Sequence, residues 1–352
     1  MWRQYIRKVE PYTPGEQPDS DNVIKLNTNE NPYPPCEGVK RVLSTFDTDT
    51  LRKYPDPNVK ALRTAIADYY NLSMENVFVG VGSDDVIAMC YMTFFNSPKP
   101  ILFPDITYSF YDVWADEFRV PYKTKALDDE YRIVASDYAE DNGGIIIPNP
   151  NAPTGIAEGK DFFTEILNNN PDSIVIIDEA YVDFGAESVI DLIGEYENLI
   201  VVRTFSKSRS LAGSRIGFAL GNAEAVRALH DVKYSFNSYT MDRITIELGV
   251  EAIKDDEYFR ECVSKIICTK KQTQDSLRNL GFEVFESAAN FLLVKPKGIS
   301  AEELYTQLKN RGIFVRYFNK PRLSDYLRIT IGTDEEMDKL TEALQSILEA
   351  VQ

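Results

Sequence analysis

Residues 144–205 contain three short apolar runs, GIIIPN (144–149), SIVIID (173–178) and LIVVRTF (199–205). The runs are rich in β-branched side chains, and a segment with helical periodicity, Lys160–Asn168, separates the first two. Strands that are apolar on both faces and alternate with helices are typical of a mostly parallel sheet covered on both sides. The sequence therefore predicts an α/β fold, with ligands bound beyond the carboxyl ends of the strands.

The same alternation extends outward from these runs. Upstream, VFVG and ILFP are followed by the helical segments Asp84–Phe95 and Tyr108–Phe118, and downstream IGFAL is a further strand. After about residue 240 a long helical stretch, Thr240–Leu280, precedes short strands such as NFLLVKP and YLRITIG, with helices near 300–311 and 334–350. We predict an N-terminal arm at 1–35 that packs on another surface, a large domain at 36–240 and a smaller α+β domain at 241–352.

The composition of the chain argues against several classes of function. The chain has 352 residues, and 38 Lys and Arg against 55 Asp and Glu give a net charge of −17, which makes nucleic acid an unfavourable partner. No apolar run reaches the roughly 18 residues of a membrane span, and the first residues lack a signal sequence, so we expect a cytoplasmic protein without membrane partners. The four cysteines lack metal or redox spacing, and the single histidine, His230, excludes multi-histidine metal sites. We therefore expect no metal.

Two further features point to a phosphate-bearing cofactor. VFVG leads into Val81-Gly82-Ser83-Asp84-Asp85, a glycine turn that opens a helix. Its free N–H groups and positive helix end would bind a phosphate, although plain capping by Ser83 or Asp84 explains the same pattern.

Asp178 ends one buried strand, and the next strand leads to Lys207, which is flanked by Ser206 and Ser208, with Arg215 eight residues later. An acid, an amine, hydroxyls and a fixed cation at one sheet edge suit pyridoxal phosphate, which needs a lysine, an anion site and an acid facing its ring nitrogen.

A family resemblance extends from about residue 10 to the end of the chain. LNTNENPYPP, YPDP, VGSDD, DITYSFY, NPNAPTG, IIDEAYVDF, RTFSKSRSLAGSRIGFALG and YLRITIG occur in this order. Together they resemble the fold-type-I aminotransferases, and among these the histidinol-phosphate aminotransferase family. The resemblance implies a homodimer with shared active sites that binds pyridoxal 5'-phosphate. It also implies transamination of L-histidinol phosphate with 2-oxoglutarate, giving imidazole-acetol phosphate and L-glutamate in histidine biosynthesis.

The resemblance also implies roles for individual residues. Lys207 would bind the cofactor and transfer the proton, Asp178 would pair with its ring nitrogen, and Tyr181 would donate to its phenolic oxygen. Tyr108 would stack on the ring, and Tyr54 would reach the phosphate from the partner subunit. The remaining contacts to the phosphate would come from the backbone N–H groups of Ser83 and Asp84 and from Thr204, Ser206 and Arg215. The substrate would be held by Tyr12, Asn29, Asn31, Arg316 and Arg328, although Arg316 could equally be a strand-edge charge.

The sequence departs from the family pattern at three positions. Ala152 stands where the family usually has Asn before Pro-Thr-Gly, so either Asn151 is redirected towards the cofactor or Tyr181 holds the phenolic oxygen alone. Pro34 replaces a common Gly and Asp85 a common Glu, and neither supplies a reacting group.

Four alternatives to this activity remain open at this point. Threonine-phosphate decarboxylases and broad or aromatic aminotransferases share the fold. A cofactor-binding transcription regulator would need a basic helix-turn-helix module, which a chain of net charge −17 does not supply. A catalytically inactive binding protein would not need Lys207, Asp178, Tyr181 and Arg215 together.

Overall fold

A seven-stranded sheet forms the centre of the larger part of the molecule. The computed structural model describes residues 1–18 and 22–351. The strands of all its sheets, in chain order, are β1 (Ile24–Lys25), β2 (Val77–Gly80), β3 (Ile101–Pro104), β4 (Tyr122–Lys125), β5 (Ile145–Pro148), β6 (Val175–Asp178), β7 (Leu199–Thr204), β8 (Gly217–Gly221), β9 (Glu283–Val284), β10 (Phe291–Lys295), β11 (Ile313–Phe314), β12 (Arg316–Tyr317) and β13 (Leu327–Thr330). The large sheet has the order β2-β8-β7-β6-β5-β3-β4, and β8 is antiparallel to both of its neighbours while the remaining pairs are parallel.

Helices cover both faces of this sheet. They are α1 (Glu37–Thr45), α2 (Lys60–Tyr70), α3 (Ser83–Phe94), α4 (Tyr111–Phe118), α5 (Lys160–Asn169), α6 (Ala223–Phe236), α7 (Arg243–Lys254), α8 (Asp256–Asn279), α9 (Ala301–Asn310) and α10 (Asp334–Val351). Alternate residues of β6 point to opposite faces: Val175 and Ile177 pack in one core cluster with α2 and α5, and Ile176 packs in the other with α3 and α4. Both faces are therefore buried, as the continuous apolar runs predict.

A smaller antiparallel sheet, β12-β13-β10-β9, forms the C-terminal part with α8, α9 and α10. The strand β1, which lies in the predicted arm, pairs in parallel with β11 and so ties the arm to this smaller part. The predicted α/β fold, with a mostly parallel sheet covered on both faces and a smaller α+β part, is confirmed. The boundaries of the arm and the two domains stay a prediction, and residues 19–21 and 352 of the predicted arm and small domain lie outside the described residues.

Two elements differ from the sequence-based expectation. The predicted continuous helix over 240–280 is two helices, because the Asp255 side chain accepts a hydrogen bond from the Tyr258 N–H and caps a new helix. The first of them, α7, packs against α1 and α2 of the large sheet through Ile246 and Ile253. The second difference is β4, an edge strand with the polar sequence YKTK, which has no apolar pattern to announce it.

Candidate active site

A cavity of about 170 Å³ lies beyond the carboxyl ends of β5, β6 and β7. The large sheet, the small sheet and the N-terminal arm all contribute to its wall, as the strand-end rule predicts. Its lining is Tyr12, Gly15, Asn27, Thr28, Asn29, Ser83, Asp84, Thr107, Tyr108, Ser109, Pro148, Ala152, Pro153, Asp178, Ala180, Tyr181, Thr204, Ser206, Lys207, Arg215, Arg316, Phe318 and Arg328. This set brings together 13 of the 16 predicted site residues.

Lys207 supplies the amine at the base of the cavity. It lies in the loop just after β7, which ends at Thr204, and its Nζ donates to the backbone oxygen of Thr28 at 3.3 Å. The same Nζ lies 5.5 Å from the ring centroid of Tyr181. Among the described residues Lys207 forms no ion pair with a carboxylate, and its amine lies in the cavity wall with the Thr28 oxygen as its hydrogen-bond acceptor.

Asp178 lies at the end of β6 and is 5% exposed. Its Oδ1 accepts from the Ala180 N–H at 3.1 Å, and its Oδ2 accepts from the Tyr111 hydroxyl at 3.0 Å. Burial raises the pKa of this carboxyl to about 6, because two hydrogen bonds do not offset the loss of water around the charge. A cation in the cavity would lower this pKa and so favour the ionised carboxylate.

An anion cradle is built where α3 begins. Gly82 precedes the helix with φ +88°, and the helix has no side-chain cap, so the alternative of plain capping by Ser83 or Asp84 is wrong. A Cβ on Gly217 would lie 2.3 Å from the Ser83 nitrogen, so β8 can approach this turn only because residue 217 is glycine. The first-turn N–H groups and the positive end of the helix dipole favour a phosphate here.

Arg215 completes this cradle. Its Nη2 lies 2.8 Å from Asp84 Oδ2, and the Tyr108 hydroxyl donates to Asp84 Oδ1 at 2.8 Å. The hydroxyls of Thr204 and Ser206 lie together at the cavity wall, with Thr204 Oγ1 donating to Ser206 Oγ at 3.0 Å. Asp84, near the start of α3, therefore contacts both the Arg215 guanidinium and the Tyr108 hydroxyl.

Two guanidinium groups form the opposite end of the cavity. Arg328 Nη2 donates to the Asn27 backbone oxygen at 3.1 Å, while its Nε is buried without a hydrogen-bond partner. Burial lowers the pKa of Arg328, and the neighbouring Arg316 adds repulsion. The carbons of both guanidiniums lie within 5.5 Å of the Phe318 ring centroid. In the described part of the chain neither arginine forms an ion pair with a carboxylate, so this end of the cavity suits an anion.

The N-terminal arm closes this end. Arg316 donates to the Thr13 and Pro14 backbone oxygens at 3.2 and 3.3 Å, and the Tyr12 ring stacks on Phe110 at 4.2 Å. Asn29, also predicted, donates through Nδ2 to the Tyr181 hydroxyl at 2.9 Å. The arm thus connects the small sheet to the start of α4 across the cavity.

Three predicted site residues do not line the cavity. The Asn31 side chain donates to the backbone oxygens of Lys207 and Ser208 at 3.0 and 3.2 Å and so holds the backbone of the lysine. Tyr54 is 79% exposed and stacks on Tyr239, away from the cavity of its own chain.

The third residue is Asn151. Its Nδ2 donates to the Ile106 oxygen at 2.9 Å, and its Oδ1 accepts from the Thr107 hydroxyl at 3.0 Å. The hypothesis that Asn151 is redirected towards the cofactor is not supported by this geometry, because both ends of its amide already have partners. Ala152 instead lines the cavity and packs with Tyr181, Ala289 and Phe291.

Sequence reasoning missed several residues of the cavity wall. Asn27 and Thr28 belong to the quoted motif LNTNENPYPP and could have been included with it. Phe318 lies two residues after Arg316 and could have been found from strand periodicity, since such residues share a face. Thr107 and Ser109 flank the predicted Tyr108, and only the tertiary structure shows that they reach the cavity.

The remaining candidate side chains lie elsewhere. His230 packs against Phe78 at 5.2 Å on α6, and burial lowers its pKa to about 4, so it is a neutral side chain of the helix layer. The four cysteines are free thiols, and only Cys268 is exposed. Among residues 1–18 and 22–351, no three His, Cys, Asp or Glu side chains are grouped to hold a metal ion. None of the helices described is both long and apolar enough to cross a membrane.

Known proteins with the same fold and motifs define the class. The family described as aminotransferase class I and II matches residues 21–344 of this chain. The chain is 51% identical over 343 residues to the histidinol-phosphate aminotransferase of Brachyspira hyodysenteriae, covering 97% of each chain. It is 49% identical over 347 residues to that of Chromohalobacter salexigens, covering 99% of each. The chain belongs to the class I and II aminotransferases and, within them, to the histidinol-phosphate aminotransferase family.

A solved structure shares the whole architecture. The histidinol-phosphate aminotransferase of Sinorhizobium meliloti in complex with pyridoxal-5'-phosphate superimposes with a TM-score of 0.86 at 23% identity. The match covers 99% of this chain and 94% of that chain. At this identity the comparison establishes the fold.

Proposed function

We propose that this chain is a pyridoxal 5'-phosphate-dependent aminotransferase. In this proposal it converts L-histidinol phosphate and 2-oxoglutarate to imidazole-acetol phosphate and L-glutamate. The observation that carries the proposal is a cavity with two separate anion sites: the α3 cradle at one end, and the unpaired Arg316 and Arg328 at the other. A phosphorylated cofactor and a phosphorylated amine would fill one site each.

The residues around the cradle fit the cofactor. The backbone N–H groups of Ser83 and Asp84, with Thr204, Ser206 and Arg215, would hold its phosphate, and Tyr108 would lie against its ring. The Asp178 carboxylate would pair with the ring nitrogen, and the raised pKa of that carboxyl is consistent with a site built for a cationic partner. The Tyr181 hydroxyl, which accepts from Asn29 and so keeps its own proton to donate, would hold the phenolic oxygen. Ala152 supplies no polar atom there.

The bound cofactor supplies an electron sink for the carbanion formed at the substrate α-carbon. Lys207 would act as the base that removes the α-proton and as the acid that returns it, since it is the one lysine among the described residues that line the cavity. Asn31 supports this role by fixing the lysine backbone. The Tyr12 ring and the arm would exclude water from the reacting atoms.

The substrate end explains how two unlike substrates are accepted. Histidinol phosphate has no carboxylate, so its phosphate would be held by Arg328 and Arg316. In the other half-reaction 2-oxoglutarate or glutamate would present carboxylates to the same guanidiniums, which suit either anion. Because Arg316 also donates to the arm, closing of the arm and binding of the anion would depend on one side chain.

A homodimer with shared active sites is part of the proposal. Tyr54, Leu51, Leu43 and Phe236 are large apolar side chains that are 55 to 79% exposed, and exposed apolar side chains of this size are typical of protein–protein interfaces where they form one patch. Tyr54 would then reach the partner's cofactor phosphate. We also propose a cytoplasmic location, which suits an exposed free thiol such as Cys268.

Absorbance titration of the purified, cofactor-loaded protein tests the activity. Adding L-histidinol phosphate should bleach the visible cofactor band, and adding 2-oxoglutarate should restore it. Phosphothreonine is the comparison: release of carbon dioxide from it, with no bleaching by histidinol phosphate, would favour a decarboxylase. A band that responds only to aromatic amino acids would leave the cofactor in place and refute the substrate.

A further inference from the structure

Tyr111 contacts Asp178 from outside the cavity. Its hydroxyl donates to Asp178 Oδ2 at 3.0 Å, the side chain is fully buried, and it is not part of the cavity lining. The α/β sheet places it there because Asp178 and Ile176 share the face of β6 that α4 covers, and Tyr111 is the first residue of α4. Nothing in the proposed chemistry requires this phenol.

The Tyr111 side chain packs between neighbouring aromatic rings. Its ring makes edge contacts with Tyr108 at 5.8 Å and with Phe103 at 5.9 Å. Its backbone oxygen accepts from the Tyr91 hydroxyl at 3.0 Å. The pKa of Tyr111 is raised well above its usual value, first by burial and then by the Asp178 charge, so the hydroxyl keeps its proton and remains a donor.

The charges around Asp178 come from three elements. Asp84 on α3 repels its ionised form, Lys207 after β7 attracts it, and Tyr111 on α4 donates to it. The Ala180 N–H is the other donor. A hydrogen bond to an ionised acceptor stabilises the charge more than a bond to a neutral one, so loss of the Tyr111 hydroxyl would favour the protonated acid.

We propose that Tyr111 is a positioning residue for the proposed reaction, whose hydroxyl keeps Asp178 ionised and its carboxylate fixed in the cavity wall. This inference rests on the proposed function, since the ionised carboxylate matters only if a ring nitrogen pairs with it. The hydroxyl would act through Asp178 and would touch neither cofactor nor substrate.

The test measures how pH affects cofactor affinity in the apoprotein. Pyridoxal 5'-phosphate is titrated into wild type and Tyr111→Phe between pH 5 and 9, and binding is followed by the visible band. The affinity should fall as Asp178 takes up a proton. In Tyr111→Phe the midpoint of this fall should lie about one pH unit higher than in wild type, the size expected for one lost hydrogen bond to a carboxylate. At pH 8.5 the two affinities should agree within about threefold.

Tyr91→Phe is the matched control, because it removes a neighbouring buried hydroxyl that does not touch Asp178. Its midpoint should equal that of wild type, and in an Asp178→Asn background the Tyr111→Phe shift should disappear. An equal loss of affinity at every pH would mean that the hydroxyl only supports packing, and it would overturn the proposal. So would an unfolded Tyr111→Phe beside a folded Tyr91→Phe, judged by circular dichroism.

A second measurement keeps the Tyr111 hydroxyl in place and makes it more acidic. Fluorotyrosine incorporated throughout makes the phenols stronger donors and should lower the midpoint, and the same labelling of Asp178→Asn should not. Equal effects of labelling in the two proteins would contradict the role of Tyr111. If wild type itself gave no band at any pH, the proposed function would fail instead, so the two failures are distinguishable.

Discussion

At the scale of single residues, burial of the Asp178 carboxyl lowers the stability of the folded protein without cofactor. Its pKa in the folded protein is about 6, against an ordinary value of 3.8. Between these values the folded chain holds a proton that the unfolded chain has released, so stability falls as the pH rises from about 4 to 6 and stays low above that. Without cofactor, the ionised group is therefore a net cost to the fold.

Asp178→Asn should make the apoprotein more stable at pH 8. The expected gain is at most about 3 kcal/mol, the equivalent of the two-unit shift of the pKa, and it should shrink as the pH is lowered from 6 towards 4. Urea unfolding of the two apoproteins at several pH values measures this. A gain that is the same at pH 4 and pH 8 would contradict burial of the charge as its cause.

At the substrate end of the cavity, we expect substitution of Arg328 to weaken substrate binding. Arg328→Lys keeps the charge but loses the planar fork, so KM for histidinol phosphate should rise roughly ten- to hundredfold while kcat changes less. Steady-state kinetics gives both constants. The control is Arg322→Lys, because Arg322 donates to the Leu127 and Asp128 backbone oxygens and does not line the cavity. Equal effects of the two changes would refute the anion site.

At the scale of elements, the ends of β6 and β7 are held together by buried charges behind the site. Arg203 on β7 pairs with Glu179, which follows Asp178, at 3.3 Å, and with Asp183. The Ser208 hydroxyl, next to Lys207, donates to Asp183. The Arg203 and Glu179 side chains are 8% and 0% exposed. This network fixes the acid and the lysine relative to each other.

Arg203→Met should lower the free energy of unfolding by about 3 to 5 kcal/mol, because it leaves the buried Glu179 and the half-buried Asp183 without their cation. Thermal or urea unfolding measures the change. Arg278→Met is the control: its ion pair with Glu286 is at the surface, and its loss should cost less than about 1 kcal/mol. If the two variants lost the same stability, the buried network would not hold the strand ends.

At the scale of the whole molecule, the proposed dimer predicts complementation. A Lys207→Ala subunit has a wild-type Tyr54, and a Tyr54→Phe subunit has a wild-type Lys207. If Tyr54 serves the partner's site, a mixed dimer contains one intact active site, and its activity should exceed that of either parent after unfolding and refolding together.

The control mixes Lys207→Ala with Arg328→Met, since Arg328 lies in the same cavity as Lys207 of its own chain. That mixture should gain nothing. Light scattering of each sample reports whether dimers form. Failure of the Tyr54 mixture to exceed its parents, with dimers present, would place Tyr54 outside the active site.

The sequence by itself determined the architecture of the large sheet and most of the site. Its parallel strands are buried on both faces, so each leaves a continuous apolar run that can be read locally, and the residues after each run must meet at one edge. For that reason Asp178, Lys207 and the turn at Gly82 could be placed together without coordinates.

The tertiary structure alone decided what depends on contacts between distant segments. The amide of Asn151 satisfies both of its ends on the 106–107 loop, α7 separates from α8 to cover α1 and α2, and Tyr111 reaches Asp178 across 67 residues of sequence. The polar strand β4 forms because β3 offers it a free edge. Local periodicity indicates which face of a helix or strand is apolar, but not which other element packs against that face. The packing partner depends on the arrangement of the whole chain.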